Sequence, residues 1–222
     1  MAIVWPCPQS VEQYAALGRD VEVPRPDCPV CLAPMTRWSG YRRNIRHDDD
    51  DVSIFVARAR CSPCGATHAQ LPAFALTNRL HDVETVGALL EEVVDGPSGV
   101  RPAAQSRAIG HETARGWVRR FRAQALGLAS SFAALAVELG AEPVVPARDP
   151  ARYALDAMRS AFEMAADLPG WASLGLWRFC SAVSGGRLLA TNTKCPYLVV
   201  GKRRLMPPVP SDDERNRGRD GP

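Results

Sequence analysis

Two cysteine pairs of identical spacing constrain the fold of this chain more than any other feature. The first pair is Cys28-Pro29-Val30-Cys31, and the second is Cys61-Ser62-Pro63-Cys64, followed by Gly65. Two residues between thiols let one tight turn direct both sulfur atoms at the same ion, and two such turns complete a tetrahedral site. Gly65 can adopt the positive φ that such a turn often requires. The sequence therefore predicts a Zn²⁺ site formed by Cys28, Cys31, Cys61 and Cys64.

The other potential metal ligands are interpreted differently. Cys7, Cys180 and Cys195 have no partner at ligand spacing and are expected to be structural thiols. His47 and His68 could replace a thiolate, but with four thiolates available we expect neither to bind. A closed four-thiolate site has no open position for substrate, so the metal should stabilise the fold rather than catalyse a reaction. We therefore expect no catalytic residues and no enzymatic activity.

The residues between the cysteine pairs predict a β-hairpin. Residues 36–46 and 52–60 have strand-like composition, with apolar side chains at alternate positions in the second segment. Residues 48–51 are four consecutive aspartates, which we interpret as a solvated loop tip rather than a second metal site. Residues 27–70 are thus predicted to be a zinc ribbon, with both cysteine pairs at one end of the hairpin.

Three helices are predicted over residues 82–125. The first spans 82–95, with Asp82 as N-cap and Gly96-Pro97 as its end. A short helix over 101–109 and a third over 111–125 follow. The third helix has one apolar stripe, formed by Ala114, Trp117, Val118 and Phe121. A short helix, a glycine turn and a longer helix fit a helix-turn-helix.

The third helix also has an arginine face. Six arginines and one glutamate lie between residues 99 and 125, and such a helix can pack on its partners while lying in a DNA major groove. We predict base contacts from Arg115 and Arg119 and a phosphate contact from Arg120. The full set of predicted DNA-binding residues is His111, Thr113, Arg115, Arg119, Arg120 and Arg122. The alternative is an ordinary surface helix with solvated arginines.

The remaining segments complete an α+β, mostly α, prediction. Residues 1–26 form an N-terminal extension with one short helix near 10–17. Residues 128–206 form a helical C-terminal region, with helices at 130–139, 152–168 and 174–183, and residues 207–222 form a disordered tail. The hydrophobic fraction of 46% excludes wholesale disorder. Because the chain has neither an apolar run of about 18 residues nor a secretory signal, we expect a cytoplasmic protein without membrane contact.

Residues 113–121, Thr-Ala-Arg-Gly-Trp-Val-Arg-Arg-Phe, resemble the recognition helix of insertion-sequence transposases. Those proteins also place a CPxC…CxxCG ribbon just before the helices. Over residues 27–125, the chain resembles zinc-ribbon/helix-turn-helix proteins of bacterial, especially actinobacterial, mobile elements. The resemblance implies double-stranded DNA as a partner, together with transposition or recombination proteins.

Complete transposases of that kind carry an RNase H-like domain, in which three separated carboxylates hold Mg²⁺. The 97 residues after Ala125 have helical patterns instead, and the spacing of Asp149, Asp156, Glu163 and Asp167 is that of solvated helix faces. We therefore predict an accessory or regulatory DNA-binding factor of a mobile element, without transposase catalysis. The alternative is a zinc-ribbon protein–protein adaptor with no DNA readout. The DNA target and the oligomeric state are left open.

Overall fold

A computed structural model describes residues 2–48, 50–186 and 188–189, and it has the predicted α+β class. A four-stranded sheet occupies the first part of the chain and helices the second. The strands are β1 (Ala2–Trp5), β2 (Met35–His47), β3 (Asp50–Cys61) and β4 (Thr67–Pro72). The helices are α1 (Val11–Leu17), α2 (Val83–Val94), α3 (Val100–Gln105), α4 (His111–Glu138), α5 (Pro150–Ala166) and α6 (Leu176–Val183).

The sheet is built on the predicted hairpin and has the strand order β1-β4-β3-β2. β2 and β3 are antiparallel, with a bulge between Arg37 and Ser39, while β1 is parallel to β4. The hairpin is confirmed, but the sequence analysis missed β1. That strand has only four residues before Pro6, and its partner lies more than 60 positions away. A segment so short has too few residues to display a periodic pattern.

The segment before the first cysteine pair is part of the core of the sheet. The predicted short helix is present as α1, and Ser10 and Gln13 form a reciprocal capping box at its start. Trp5 and Tyr14 are fully buried in one apolar cluster with Ile54 of β3 and with Phe74. The Tyr14 hydroxyl also donates to the Phe55 carbonyl at 3.0 Å. This N-terminal segment therefore packs on the sheet.

One long helix, α4, differs from the prediction. The sequence predicts one helix ending near residue 125 and another beginning at 130, whereas α4 continues from His111 to Glu138. Residues 125–129 contain no proline, and Gly127 is the one residue there that is typical of a helix end. Ala125, Leu128 and Ala129 are buried in the core of the helical region, which keeps this stretch helical despite Gly127.

Helix α3 is shorter than predicted, ending at Gln105 instead of residue 109. Ala108 has a left-handed φ of +50°, and the Ile109 amide donates to the Ala104 carbonyl at 2.9 Å. This turn ends the helix and leads into α4, whose N-cap is Gly110. Helix α2 begins after Asp82 as predicted. Helices α5 and α6 each lie within about two residues of their predicted bounds.

Helices α2 to α6 surround one large apolar core. Phe179 of α6 lies at its centre, with ring centroids of Phe132, Phe162 and Trp171 between 5.6 and 6.3 Å away. Trp177 lies directly against Gly87 of α2, where any side chain would overlap the indole. Within the described part of the chain, no helix is both long enough and apolar enough to cross a membrane.

Candidate functional site

The four cysteines of the two pairs come together at one end of the hairpin. The Sγ atoms of Cys28 and Cys64 are 3.6 Å apart, those of Cys31 and Cys61 are 3.3 Å apart, and all four lie within 4.8 Å of one another. Tetrahedral coordination with metal–sulfur bonds of about 2.3 Å places sulfurs about 3.8 Å apart. The four thiols therefore form a possible metal site of four-coordinate geometry.

The two cysteine turns have the same backbone construction. In the first turn the Leu32 amide donates to the Cys28 carbonyl at 2.8 Å, and in the second the Gly65 amide donates to the Cys61 carbonyl at 2.9 Å. Leu32 and Gly65 have φ values of +62° and +71°, so both turns end in the left-handed region. Gly65 has the positive φ that the sequence predicts, whereas nothing in the sequence predicts a positive φ at Leu32.

Each turn contributes one buried and one exposed thiol. Cys28 and Cys61 are fully buried, while Cys31 and Cys64 are exposed. Burial opposes ionisation of Cys28, but amide hydrogen bonds from Val30 and Cys31 lower its pKa to about 6. The Cys64 amide favours a Cys61 thiolate, yet burial and the neighbouring sulfurs raise the Cys61 pKa to about 12. Four adjacent thiolates repel one another, so a bound cation would be needed for all four to be ionised together.

The two histidines near the hairpin lie in different places. The Nε2 atom of His68, a buried residue of β4, is 3.9 Å from Cys28 Sγ, and its Nδ1 has no hydrogen-bond partner. His68 therefore lies beside Cys28 but is not one of the four clustered potential ligands. His47 lies at the opposite end of the hairpin, where its Nδ1 is 3.1 Å from Asp82 Oδ2. This end is about 40 Å from the cysteines along the 13 residues of β2.

The aspartates of the hairpin turn and those of α5 lie in separate parts of the structure. Asp51 forms an ion pair with Arg46 at 2.9 Å, and Asp48 is exposed at the hairpin turn. Asp149 caps α5, and Asp156 neighbours Arg152 and Arg159. Over residues 2–48, 50–186 and 188–189, the four cysteines are the one group of three or more potential ligands brought together.

Helix α4 presents three of the predicted arginines on one exposed face. Arg115, Arg119 and Arg122 are exposed, while the predicted stripe of Ala114, Trp117, Val118 and Phe121 is buried against α2 and α3. Only Arg115 has a nearby carboxylate, Glu112 at 3.7 Å, and both side chains are mostly solvated. This pair contributes little binding energy. The three guanidinium groups are therefore available to an external ligand.

The other predicted residues of α4 differ in exposure. Thr113 is exposed and His111 half-buried, at the start of the helix. Arg120 is also half-buried, its guanidinium folds back towards Gly116, and its Nε has no partner. Burial lowers the Arg120 pKa, and the positive charges of Arg79 and Arg119 lower it further. Arg120 is thus less exposed than the three arginines of the exposed face, and it lies within electrostatic range of Arg79 in the loop after β4.

Two cysteines outside the four-thiol cluster, Cys7 and Cys180, are fully buried, as expected of structural thiols. Burial raises the Cys7 pKa to about 12. Cys195, the rest of the predicted C-terminal region after residue 189 and the predicted tail at 207–222 lie outside the described residues.

Residues 28–117 match a family model described as "Domain of unknown function (DUF6431)". A search of curated proteins and a search of solved structures each returned no match. The matched segment begins at the first ligand cysteine and ends at Trp117. The family match therefore covers the four-thiol cluster, α2, α3 and the first two turns of α4, and it assigns no activity to them.

Proposed function

We propose that this protein is a zinc-binding, sequence-specific DNA-binding factor in which a zinc ribbon precedes a helix-turn-helix. The four clustered thiols favour zinc, because soft thiolate ligands in tetrahedral array select it among common biological cations. The hairpin with both cysteine turns at one end supports the ribbon. The metal would complete that end of the sheet and would take no part in chemistry.

The helix-turn-helix proposal concerns α2, α3 and the start of α4. A five-residue turn at 106–110 joins α3 to α4, and both helices bury one face in the same core. In this arrangement α4 is the recognition helix and its first three turns enter the major groove. Arg115 and Arg119 contact bases, Arg122 extends the same face, and Thr113 and His111 approach the backbone near the helix start. Arg120 would contact a phosphate from a different side of α4 than the exposed arginines, because its guanidinium is half-buried and lies near Gly116.

The observation that carries the proposal is the exposed arginine face of α4. Half-buried arginines elsewhere in the helical region are neutralised: Arg159 contacts Asp95 at 2.6 Å, and Arg107 and Arg178 contact Glu92 and Glu84. Arg119 and Arg122 form no ion pair with any carboxylate of the described residues. Unpaired guanidinium groups along one helix face match phosphate and guanine acceptors.

The resemblance to transposase recognition helices supports a role for this activity in a mobile element. The protein would act in the cytoplasm as an accessory or regulatory factor on double-stranded DNA, beside transposition or recombination proteins. It would not itself cut or join DNA. A metal-dependent nuclease assay with the zinc-loaded protein should give no cleavage above background, and cleavage lost on mutation of a carboxylate would contradict this part of the proposal.

DNA binding can be tested with full-length protein and a random-oligonucleotide selection, followed by fluorescence anisotropy on the selected duplex. We expect Arg115→Ala and Arg119→Ala each to weaken binding about tenfold or more and to relax the sequence preference. Arg148→Ala is the matched control, because Arg148 is also exposed but lies in the loop between α4 and α5. Equal affinities for all three variants and the wild type would contradict the assignment.

A protein–protein adaptor is the second candidate, and one observation favours it. Val30 and Leu32 on the first cysteine turn and Trp38 on β2 are apolar side chains that are 58–78% exposed. Exposed apolar side chains near the cysteine end of the hairpin are of the kind that bind partner proteins. Binding to the selected duplex that stays at background in 50 mM salt would favour the adaptor. Steep salt dependence of a measurable affinity would favour DNA binding.

A further inference from the structure

A groove of about 650 Å³ lies between the sheet and the loop that follows β4. Its walls come from β1, β2, β4 and residues 77–80. The polar side chains in these walls are Tyr41, Arg43, Asn44, Thr77, Asn78 and Arg79. None is acidic, so the groove has two positive charges and no negative one.

Arg43 is held in a fixed orientation at this groove. Its Nη2 donates to the Leu76 carbonyl at 2.7 Å and also to the Arg79 carbonyl. Partial burial lowers its pKa, and no carboxylate of the described residues forms an ion pair with it. The guanidinium is thus anchored through one nitrogen while its charge is left without a counterion. Such a group is preorganised to bind an anion, because little side-chain freedom remains to be lost.

The loop adds hydrogen-bond donors that have no acceptor among the described residues. Arg79 donates through Nη1 to the Asn78 carbonyl and through Nη2 to the Leu189 carbonyl at 3.2 Å, but its buried Nε has no partner in this part of the chain. The buried Thr77 hydroxyl likewise has none there. Leaving a buried donor unsatisfied costs about 1–3 kcal/mol. A ligand that accepts hydrogen bonds would remove this penalty.

This arginine pair differs from three half-buried arginines of the helical region. There, Arg107, Arg159 and Arg178 each contact a carboxylate. Arg43 and Arg79 have only carbonyl partners among the described residues, and the charge of Arg79 adds to burial in lowering the pKa of nearby Arg120. No carboxylate of the described residues pairs with these three guanidinium groups, so an external anion would neutralise charge here.

We propose that this groove binds a phosphate group, with Arg43 and Arg79 as the cationic ligands and Thr77 as a hydroxyl donor. Phosphate offers several acceptor oxygens and matches the guanidinium fork better than a small halide does. The groove is much larger than one phosphate, so the group belongs to a larger molecule, either a nucleic-acid strand or a free nucleotide. The site does not depend on DNA reading by α4, since it uses different residues.

Titration calorimetry of the full-length, metal-loaded protein with pyrophosphate tests the free form of the ligand. We expect one site per chain. Arg79→Gln should weaken binding about tenfold or more, and Thr77→Val should weaken it severalfold, because each removes a charge-assisted or neutral hydrogen bond. Arg79→Lys should retain part of the affinity. Arg148→Gln is the control for loss of one exposed charge and should leave binding unchanged.

Anisotropy with a 20-base-pair duplex distinguishes the source of the phosphate. If the strand is the ligand, Arg79→Gln weakens duplex binding and reduces the salt slope by about one unit. If a free nucleotide is the ligand, Arg79→Gln weakens pyrophosphate binding about tenfold or more and leaves duplex affinity unchanged. Either result supports the site, and it does so whether or not Arg115 and Arg119 read bases.

Thermal unfolding and metal content of each variant show whether it folds, and Thr77→Val carries the test if Arg79→Gln does not. The proposal is wrong if neither pyrophosphate nor duplex binding responds to either folded variant.

Discussion

The helical region and the cysteine end of the sheet differ in how much apolar surface they bury. In the helical region, five helices bury a continuous set of leucine, alanine and aromatic side chains. At the cysteine end of the sheet, the buried apolar cluster contains only Met35 and Ala59 beside Cys28 and Cys61. Apolar burial stabilises by roughly 25 cal/mol per Å², so the helical region has ample stabilisation and the cysteine end has little. A metal bound by the four thiols would supply the stabilisation that apolar burial does not supply at that end of the sheet.

The largest expected effect comes from removing one thiol. Cys61→Ala should abolish stoichiometric metal binding, because three ligands cannot close the site and structural zinc supplies about 10–16 kcal/mol of binding free energy. Elemental analysis measures the metal, and amide hydrogen exchange shows where protection is lost. We expect loss of protection in β2 and β3 near the cysteines, with α4 and α5 still protected.

Cys7→Ala is the matched control for that experiment. Cys7 is equally buried and lies beside the same sheet, but its Sγ contacts Gln9 instead of the cluster. It should leave metal content at one ion per chain. Equal loss of metal in both variants, or uniform loss of protection in sheet and helices, would contradict the division between the two regions.

Truncating a core side chain in the helical region should lower the free energy of unfolding without changing the metal content. Phe179→Ala removes a fully buried ring that contacts three other aromatic rings. We expect the free energy of unfolding to fall by about 3–5 kcal/mol, as measured in denaturant, with metal content unchanged. Leu126→Ala, at an exposed position of α4, should change it by less than about 0.5 kcal/mol. A variant that folds normally but loses metal would show that the helical core supports the cysteine site directly.

The contact between the two regions makes a pH-dependent contribution. His47 of β2 lies against Asp82, the N-cap of α2, and its Nε2 is 3.0 Å from Glu12, with Asp48 farther away. Burial opposes protonation, but the hydrogen bond and charge of Asp82 outweigh it and raise the His47 pKa. Because the folded pKa is raised, this contribution is complete below the ordinary pKa near 6.5 and is lost as pH rises through the folded value.

His47→Gln should therefore destabilise the protein more at pH 6 than at pH 8. We expect a loss of about 1.5–3 kcal/mol at pH 6, the usual magnitude of a hydrogen bond to a charged group. Denaturant unfolding of both proteins at both pH values gives the difference directly. Comparing variant with wild type cancels the titration of the cysteine site. An equal loss at the two pH values would mean that His47 is neutral throughout.

The sequence allowed local features with strong chemical signals to be predicted. The C-x-x-C spacing identified the four thiols, the alternation at Ile54 and Val56 identified the hairpin, and Asp82 identified the start of α2. Features that depend on contacts between segments far apart in the chain could not be predicted from the sequence. The pairing of β1 with β4 joins segments far apart in the chain, and the continuation of α4 past Ala125 depends on burial against other helices. The groove of Arg43 and Arg79 likewise forms only when β2 meets the loop after β4.

The smallest predicted effect concerns the two cysteine turns, which have the same shape but different residues. Gly65→Ala places a Cβ at φ +71° and should lower metal affinity about fivefold, equivalent to about 1 kcal/mol. Leu32→Gly relieves the same strain at φ +62° and should raise affinity about twofold, since added freedom of the unfolded chain offsets part of the gain. Competition with a chelator measures both. Val30→Gly, on the same turn without a positive φ, should give no gain, and an equal gain there would show that flexibility rather than relief of strain improves binding.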